Sequence, residues 1–266
     1  MPLIFWAVKI IKMKKIVTHI NPDTDAIASC WLLRRFLPGW EDAEIGFVNA
    51  TSSTRADASV DENPDILYVD VGRGKLDHHQ TGEYLSASRL CWEFIKKQTG
   101  GEGLKSLEQE AIEELVEVET EIDNARFYSW PEIKETRYFL YFHEIVDGLR
   151  GTGESDNQVM EFGFRTLEAI FLGLKGKIKA DGELKNGIVF DSPWGKGIAI
   201  ESGNKQVLFR GEALGFALVI KKDPETGAVR IHSREDAGVD LTEAYNKFRE
   251  MAVSYTHLTL PTIYSV

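Results

Sequence analysis

The chain has 266 residues, of which 43% are hydrophobic, and a formal net charge of −11. This length and composition suffice for two modest domains with a substantial core. The acidic balance argues against a protein that tracks long duplex DNA, because such binding depends on many Lys and Arg contacts to phosphate. Small phosphate esters and short oligonucleotides remain compatible ligands.

The first predicted strand is the β-favouring run Lys15–Thr18. Residues 1–12 before it are apolar but too few to span a bilayer, and no small-residue cleavage site follows them. We therefore expect a cytoplasmic protein without a membrane segment. Residues 1–12 would then be an upstream extension of the start or an edge strand.

A polar loop follows this strand. Pro22 disfavours helical backbone at the residue before it, so residues 19–25 are predicted to form a loop at the strand's carboxyl end. The loop carries His19, Asp23 and Asp25. From Ala26 onward the apolar spacing predicts a helix with Asp23 or Asp25 at its N-terminus, where the helix dipole also favours phosphate.

The same arrangement of polar residues after apolar runs recurs downstream. A second predicted strand, residues 65–69, is followed by Asp70, and a third short run ends in Asp77-His78-His79. Residues 86–95 are then predicted to form a helix. Strand-end acids followed by helices predict an α/β domain with a doubly wound, mostly parallel sheet and a site beyond the strand carboxyl ends.

The polar residues at these strand ends form a metal-ligand set. Imidazole mixed with carboxylates suits Mn, Fe, Co or Zn rather than Ca, and one shared carboxylate can hold two ions about 3.5–4 Å apart. An isolated Asp-x-Asp or His-His is usually an ordinary loop or turn. Their conjunction at predicted strand ends, in a chain with only six histidines, predicts a two-metal site.

These motifs resemble those of the DHH phosphoesterase superfamily, which is named for its Asp-His-His motif. Its members include single-strand exonucleases, oligonucleotide and cyclic-dinucleotide phosphodiesterases, exopolyphosphatases and manganese pyrophosphatases. The first motif matches residues 19–25, the second Asp70 and the third residues 77–79. The extended motif Asp77-His-His-Gln80 resembles that of a branch of the superfamily once called metal-dependent protein hydrolases.

The resemblance implies specific roles for these residues. One divalent ion would be held by His19, Asp23 and Asp70. The other would be held by Asp25, Asp70, His78 and a later aspartate. The favoured metal is Mn, with Mg, Co or Fe as alternatives, and catalytic His79 would face the substrate phosphate.

Two residues are candidates for the later aspartate. Asp123 ends an acidic helix predicted over residues 104–124, and its separation from His78 is nearer the family's usual interval. Asp147 precedes Gly148, which could simply end a helix, so a solvated position is the simpler interpretation of Asp147. We therefore favour Asp123 as the ligand.

The remaining sequence predicts a second domain. Residues 137–146 are predicted as a well-buried helix, 148–156 as a loop and 157–179 as a helix. Short β runs at 187–190, 197–200, 217–220 and 228–231 follow, with a turn at 223–227 and a helix from Asp240. The predicted organisation is a catalytic domain over 13–155, a connecting helix and linker over 156–184, and a smaller β-rich α+β accessory domain over 185–253.

The predicted strand 229–233 resembles a strand of the superfamily's accessory domain on which a basic residue meets the substrate. Alternation places Arg230 and His232 on one face, as candidate substrate-binding residues or as an ordinary polar sheet face. Residues 254–266 resemble translated sequencing-adapter DNA, so we expect a non-native tail; a genuine terminal strand is the alternative. Cys30 and Cys91 lie on apolar helix faces and are predicted to be reduced core residues.

The resulting expectation is a metal-dependent phosphoesterase that hydrolyses phosphodiester bonds of short oligonucleotides or small nucleotides. An inorganic pyrophosphatase or exopolyphosphatase would share every ligand. A catalytically silent nucleotide-binding regulator could use the same scaffold. The expected partner is a phosphate-ester or short nucleic-acid substrate, with no long duplex DNA and no membrane, and a homodimer remains open.

Overall fold

The structure is a computed structural model that describes residues 13–49 and 60–251. The expectations for residues 1–12 and for the tail 254–266 lie outside these described residues. The described chain has a mixed α/β architecture and divides into two compact units, with the boundary between Leu172 and Gly173. Within the two described ranges, no helix is both long and apolar enough to cross a bilayer.

The first unit combines a small parallel sheet with helices. Its strands are β1 Lys15–His19, β2 Glu44–Val48 and β3 Ile66–Tyr68. Its helices are α1 Thr24–Phe36, α2 Ala87–Thr99, α3 Ser106–Asp123, α4 Phe142–Arg150 and α5 Asp156–Leu184, the last of which contains the boundary between the units. Three 3₁₀ helices, Arg126–Ser129, Pro131–Lys134 and Thr136–Leu140, lie between α3 and α4.

The sheet order β2-β1-β3 makes β1 the central strand. Both neighbours run parallel to β1, with His19 opposite Val48 and Val17 opposite Tyr68. Ile16 is fully buried, as expected for a strand covered on both sides. Because parallel strands end at the same edge of a sheet, the residues that follow β1 and β3 are brought together.

The core of the first unit lies around α1. The helix is buried from Thr24 to Leu33 and contacts both α2 and α3. Its close approach to α5 requires Gly163, since a Cβ there would lie 2.4 Å from an Ile27 side-chain carbon. Trp31, Phe36 and Phe171 form a cluster of edge-to-face rings that closes this packing.

The second unit is a mixed four-stranded sheet with helices. Its elements are β4 Ile188–Ser192, β5 Gly195–Glu201, α6 Gln206–Ala213, β6 Leu218–Lys222, β7 Val229–Ser233 and α7 Thr242–Met251. In the order β4-β5-β6-β7, the outer pairs are antiparallel and β5 is parallel to β6. Its core includes Ile198, Val207, Leu208 and Val219. The four predicted β runs and the turn at 223–227 are confirmed.

Two local predictions are wrong. Residues 137–146 do not form one buried helix, because Tyr141 is extended and separates the last 3₁₀ helix from α4. Phe139 and Leu140 are 65% and 75% exposed, whereas Tyr138 is buried. The third run before Asp77 is not a strand either: residues 71–76 form turns. Periodicity also did not predict β2 or α6.

Candidate metal centre

His19 occupies the last position of β1 and faces two carboxylates. Its Nδ1 lies 2.9 Å from the carbonyl oxygen of Ile20, and its Nε2 lies 3.2 Å from Asp70 Oδ2 and 3.8 Å from Asp23 Oδ2. Burial alone would lower the pKa of His19, but the two carboxylates outweigh it and raise that pKa to about 10. An Nδ1–H donated to Ile20 leaves Nε2 as the ring atom that can hold an ion.

Asp23 and Asp25 both accept hydrogen bonds from helix N-termini. Asp23 is the N-cap of α1, with Oδ1 accepting from Ala26 N at 2.9 Å. Asp25 is buried and accepts from the backbone N–H groups of Ala87 and Ser88, at 2.7 and 2.9 Å, at the start of α2. These bonds fix both carboxylates while leaving lone pairs for a cation.

Asp70 lies at the centre of the site. It follows β3 with a left-handed backbone, φ 55°, and is only 3% exposed. Its Oδ2 contacts His19, while its Oδ1 lies 3.4 Å from His78 Nε2 and 3.5 Å from His79 Nδ1. One oxygen of the Asp70 carboxylate therefore contacts His19, and the other contacts His78 and His79.

Asp77 orients His79. Its Oδ1 lies 2.7 Å from His79 Nδ1 and also accepts from the backbone N–H of His79, while its Oδ2 accepts from the backbone N–H of Arg73. Burial would raise the pKa of Asp77, but these hydrogen bonds outweigh it and lower that pKa below its usual value. The ionised carboxylate can thus hold the Nδ1–H of His79, whose side chain is 58% exposed.

Asp123, the last residue of α3, joins the cluster. Its Oδ2 lies 3.3 Å from His78 Nε2, and burial raises the pKa of Asp123 to about 6. Asp147, the other candidate, is 62% exposed and accepts instead from Arg150 at 2.8 Å. In the part of the chain that the structure describes, Asp147 belongs to no group that could hold a metal ion.

The residues fit a bound cation. Their ligand atoms form three groups that could each hold a metal ion: His19, Asp23 and Asp70; Asp70, His78 and His79; Asp25, His78 and Asp123. Asp70 Oδ1, His78 Nε2 and Asp123 Oδ2 are buried without a hydrogen-bond partner. Buried polar atoms are rarely left unpaired, and each of these three residues belongs to at least one group that could hold a cation.

The charges of the cluster also favour a cation. Burial and the neighbouring carboxylates of Asp70 and Asp123 raise the pKa of Asp25 well above its usual value. The Asp70 carboxylate opposes the effect of burial on His78 and, with the charge of Asp123, raises its pKa to about 9. Without a metal ion, protons balance part of the negative charge; an ion would replace them.

Sequence reasoning missed Glu119. This carboxyl lies one helical turn before Asp123 on α3, is 5% exposed, and has no hydrogen-bond partner at Oε2. Burial raises the pKa of Glu119 to about 7, although a hydrogen bond from the Thr24 side chain opposes the rise. Its spacing in the sequence could have identified it, because Glu119 lies at a spacing of three to four residues per turn from Ile112 and Leu115, on the buried face of α3.

The two candidate substrate contacts lie in the second unit. Arg230 and His232 are on β7, where Arg230 is exposed and opposite Lys221 in the sheet register. His232 Nδ1 lies 3.3 Å from Glu212 Oε1, and its ring packs edge-to-face against Phe209. Residues 229–233 form the predicted strand, and Arg230 and His232 lie two positions apart on it, as expected for side chains on one face.

No protein-family model and no curated protein matches this chain. Among solved structures, an uncharacterized protein from Helicobacter pylori G27 is similar, with 13% sequence identity and a TM-score of 0.24. The alignment covers 83% of this chain and 85% of that protein. A similarity this weak carries no inference about fold or function.

Proposed function

We propose that the chain is a DHH-superfamily phosphoesterase that uses two divalent ions, with Mn favoured over Mg, Co or Fe. The observation that carries the proposal is the Asp70 carboxylate, in which Oδ2 contacts His19 and Oδ1 contacts His78. A shared carboxylate is the usual link between two ions in hydrolytic sites. The four carboxylates of Asp23, Asp25, Asp70 and Asp123 would balance the charge of two divalent ions.

The strand order supports the placement of this site. The chain passes from β1 to one neighbour, β2, and then returns to the other side of β1 as β3. In a doubly wound sheet, ligands bind beyond the strand carboxyl ends where the strand order reverses. His19 ends β1 and Asp70 follows β3, the two strands that flank such a reversal.

The chain's own residues have separable tasks in this mechanism. The bound ions would activate a water molecule and neutralise charge that develops on the phosphoryl group. Asp77 holds the His79 ring by its Nδ1, so Nε2 points away from that bond and is available to an oxygen of the substrate. His79 would stabilise the phosphoryl charge or donate a proton to the leaving oxygen.

Charge favours a short substrate. The chain carries 42 acidic residues and 31 basic residues, so it lacks the excess of positive charge with which proteins follow a long polyanion. Phosphodiesters of short oligonucleotides or small nucleotides can enter a metal centre without many additional phosphate contacts. We therefore assign short phosphodiesters as the substrate class.

The test is turnover of bis(4-nitrophenyl) phosphate and of dinucleotides with Mn²⁺, before and after chelation. Asp70→Asn should lower turnover by about 100-fold or more, since it removes the negative charge of the carboxylate that would link the two ions. Asparagine tolerates the positive φ of this position, so the backbone should be preserved. Asp42→Asn, at an exposed acid of the same unit, is the matched control and should retain activity. Unchanged turnover in Asp70→Asn would refute the two-metal proposal.

The same assay separates the alternatives. Pyrophosphate or polyphosphate turnover far above that of every diester would assign the pyrophosphatase or exopolyphosphatase function. Two bound metals without turnover of any of these substrates would assign the silent regulator. Preference for long single strands, with a log–log salt slope of about −0.7 per neutralised phosphate, would overturn the short-substrate assignment.

A further inference from the structure

The turn that carries His19 and Asp23 is held at its middle by side chains from two distant helices. Asn21 lies between the two candidate ligands and has a left-handed backbone, φ 53°. Its carbonyl oxygen accepts from the Arg150 guanidinium at 3.0 Å, and its backbone N–H donates to Asp156 Oδ1 at 3.1 Å. Both backbone polar groups of this one residue are thus bound by charged side chains.

Arg150 is itself fixed by a second contact. One guanidinium nitrogen donates to Asp147 Oδ1 at 2.8 Å, while the other donates to Asn21. Asp147 and Arg150 share α4, one turn apart, so the helix sets the direction of the guanidinium fork. A lysine at position 150 has a single charged nitrogen and could not reproduce this planar, two-point geometry.

The rest of the turn is anchored by the fold alone. Ile20 N donates to Val48 O of the neighbouring strand, and Asp23 is fixed as the cap of α1. Pro22 has no N–H to anchor. At Asn21, side chains of α4 and α5 therefore hold the backbone between His19 and Asp23 by hydrogen bonds.

We propose that Arg150 and Asp156, with Asp147 behind Arg150, are positioning residues that hold the His19–Asp23 turn in its ion-binding geometry. The inference rests on the proposed metal site, but not on its turnover. Outer contacts that orient ligands typically contribute about 10- to 100-fold in metal affinity. We expect a loss of this size for the ion held by His19, Asp23 and Asp70. The other ion, held by Asp25, Asp70, His78 and Asp123, should change little.

The test measures Mn²⁺ affinity by titration calorimetry and the visible spectrum of Co²⁺, which reports ligand geometry. Arg150→Lys should weaken one of two binding events by about 10-fold or more and change the Co²⁺ spectrum. Asp156→Ala should do the same, whereas Asp156→Asn, which keeps an acceptor oxygen and loses the same charge, should restore most of the affinity. Arg165→Lys, at an exposed ion pair of α5, is the matched control.

Each outcome decides the inference. Wild-type affinity and spectrum in folded Arg150→Lys and Asp156→Ala would overturn the positioning role and leave the proposed function standing. Equal losses of Mn²⁺ affinity in Asp156→Ala and Asp156→Asn would overturn the role of the Asn21–Asp156 hydrogen bond and attribute the effect to the charge of Asp156 alone. A wild-type chain that binds no Mn²⁺ would overturn this inference together with the metal site. Wild-type chain that binds two ions without turnover would overturn only the proposed activity.

Discussion

Replacing Glu119 by Gln should stabilise the metal-free protein at alkaline pH and leave its stability unchanged in acid. Burial raises the pKa of Glu119 from its ordinary value of 4.5 to about 7 in the folded protein. The folded state therefore binds the carboxyl proton more tightly than the unfolded chain does. Stability therefore falls as pH rises from 4.5 to 7, and the loss is complete above pH 7. At about 1.36 kcal/mol per pKa unit, the ionised carboxyl costs about 3 kcal/mol.

Urea unfolding in the presence of a chelator measures this effect, because an ion bound only to the folded state would add its own stabilisation. At pH 8, Glu119→Gln should raise the free energy of unfolding by about 3 kcal/mol, and at pH 5 by less than about 1 kcal/mol. Glu110→Gln, at an exposed position of the same helix, should have no effect at either pH. An equal effect of Glu119→Gln at the two pH values would refute this account of the buried carboxyl.

Three further outcomes follow from the geometry. At saturating Mn²⁺, Asp123→Asn should reduce the number of bound ions measured by metal analysis, whereas Asp147→Asn should not; the reverse would transfer the ligand role to Asp147. Burial raises the pKa of the Cys30 and Cys91 thiols, so a thiol reagent should modify them only after unfolding, and rapid reaction in the native state would contradict that burial. Ser86→Ala removes the cap that accepts from Arg89 N and should lower the free energy of unfolding by about 1–2 kcal/mol, as measured by urea titration.

The residues that sequence reasoning placed well are those governed by local rules. Lys15–His19 is a short β-branched strand, Asp23 is a helix cap, and Asp70 follows a strand. Each of these follows from a few neighbouring residues. Parallel pairing of β1 with β3 then brings their ends together, so the convergence of His19 and Asp70 needs no knowledge of the rest of the fold.

The features that sequence reasoning missed depend on contacts distant in sequence. Arg150 reaches Asn21 across 129 residues, and Asp25 reaches the start of α2 across more than 60. The aromatic run at 137–141 was predicted as helix because its residues are apolar. Tyr138 packs beside Phe127 and His143, and its hydroxyl lies 2.7 Å from His143 Nε2, so tertiary contacts determine the backbone there.

The candidate ligands also hold the fold together, which bears on how the site could bind an ion. Asp23 caps α1 and Asp25 accepts from two N–H groups of α2, so neither carboxylate needs a metal to fix its position. Asp70, His78 and Asp123 instead each keep a buried atom without a hydrogen bond. The capping hydrogen bonds of Asp23 and Asp25 therefore offset part of the repulsion between the clustered carboxylates. An ion would gain its affinity through the buried atoms of Asp70, His78 and Asp123 that lack a hydrogen bond. The His19–Asp23 turn is likewise held before binding, by the Asp23 cap and by the contacts of Arg150 and Asp156 with Asn21, so the geometry of the candidate ligands does not depend on an ion.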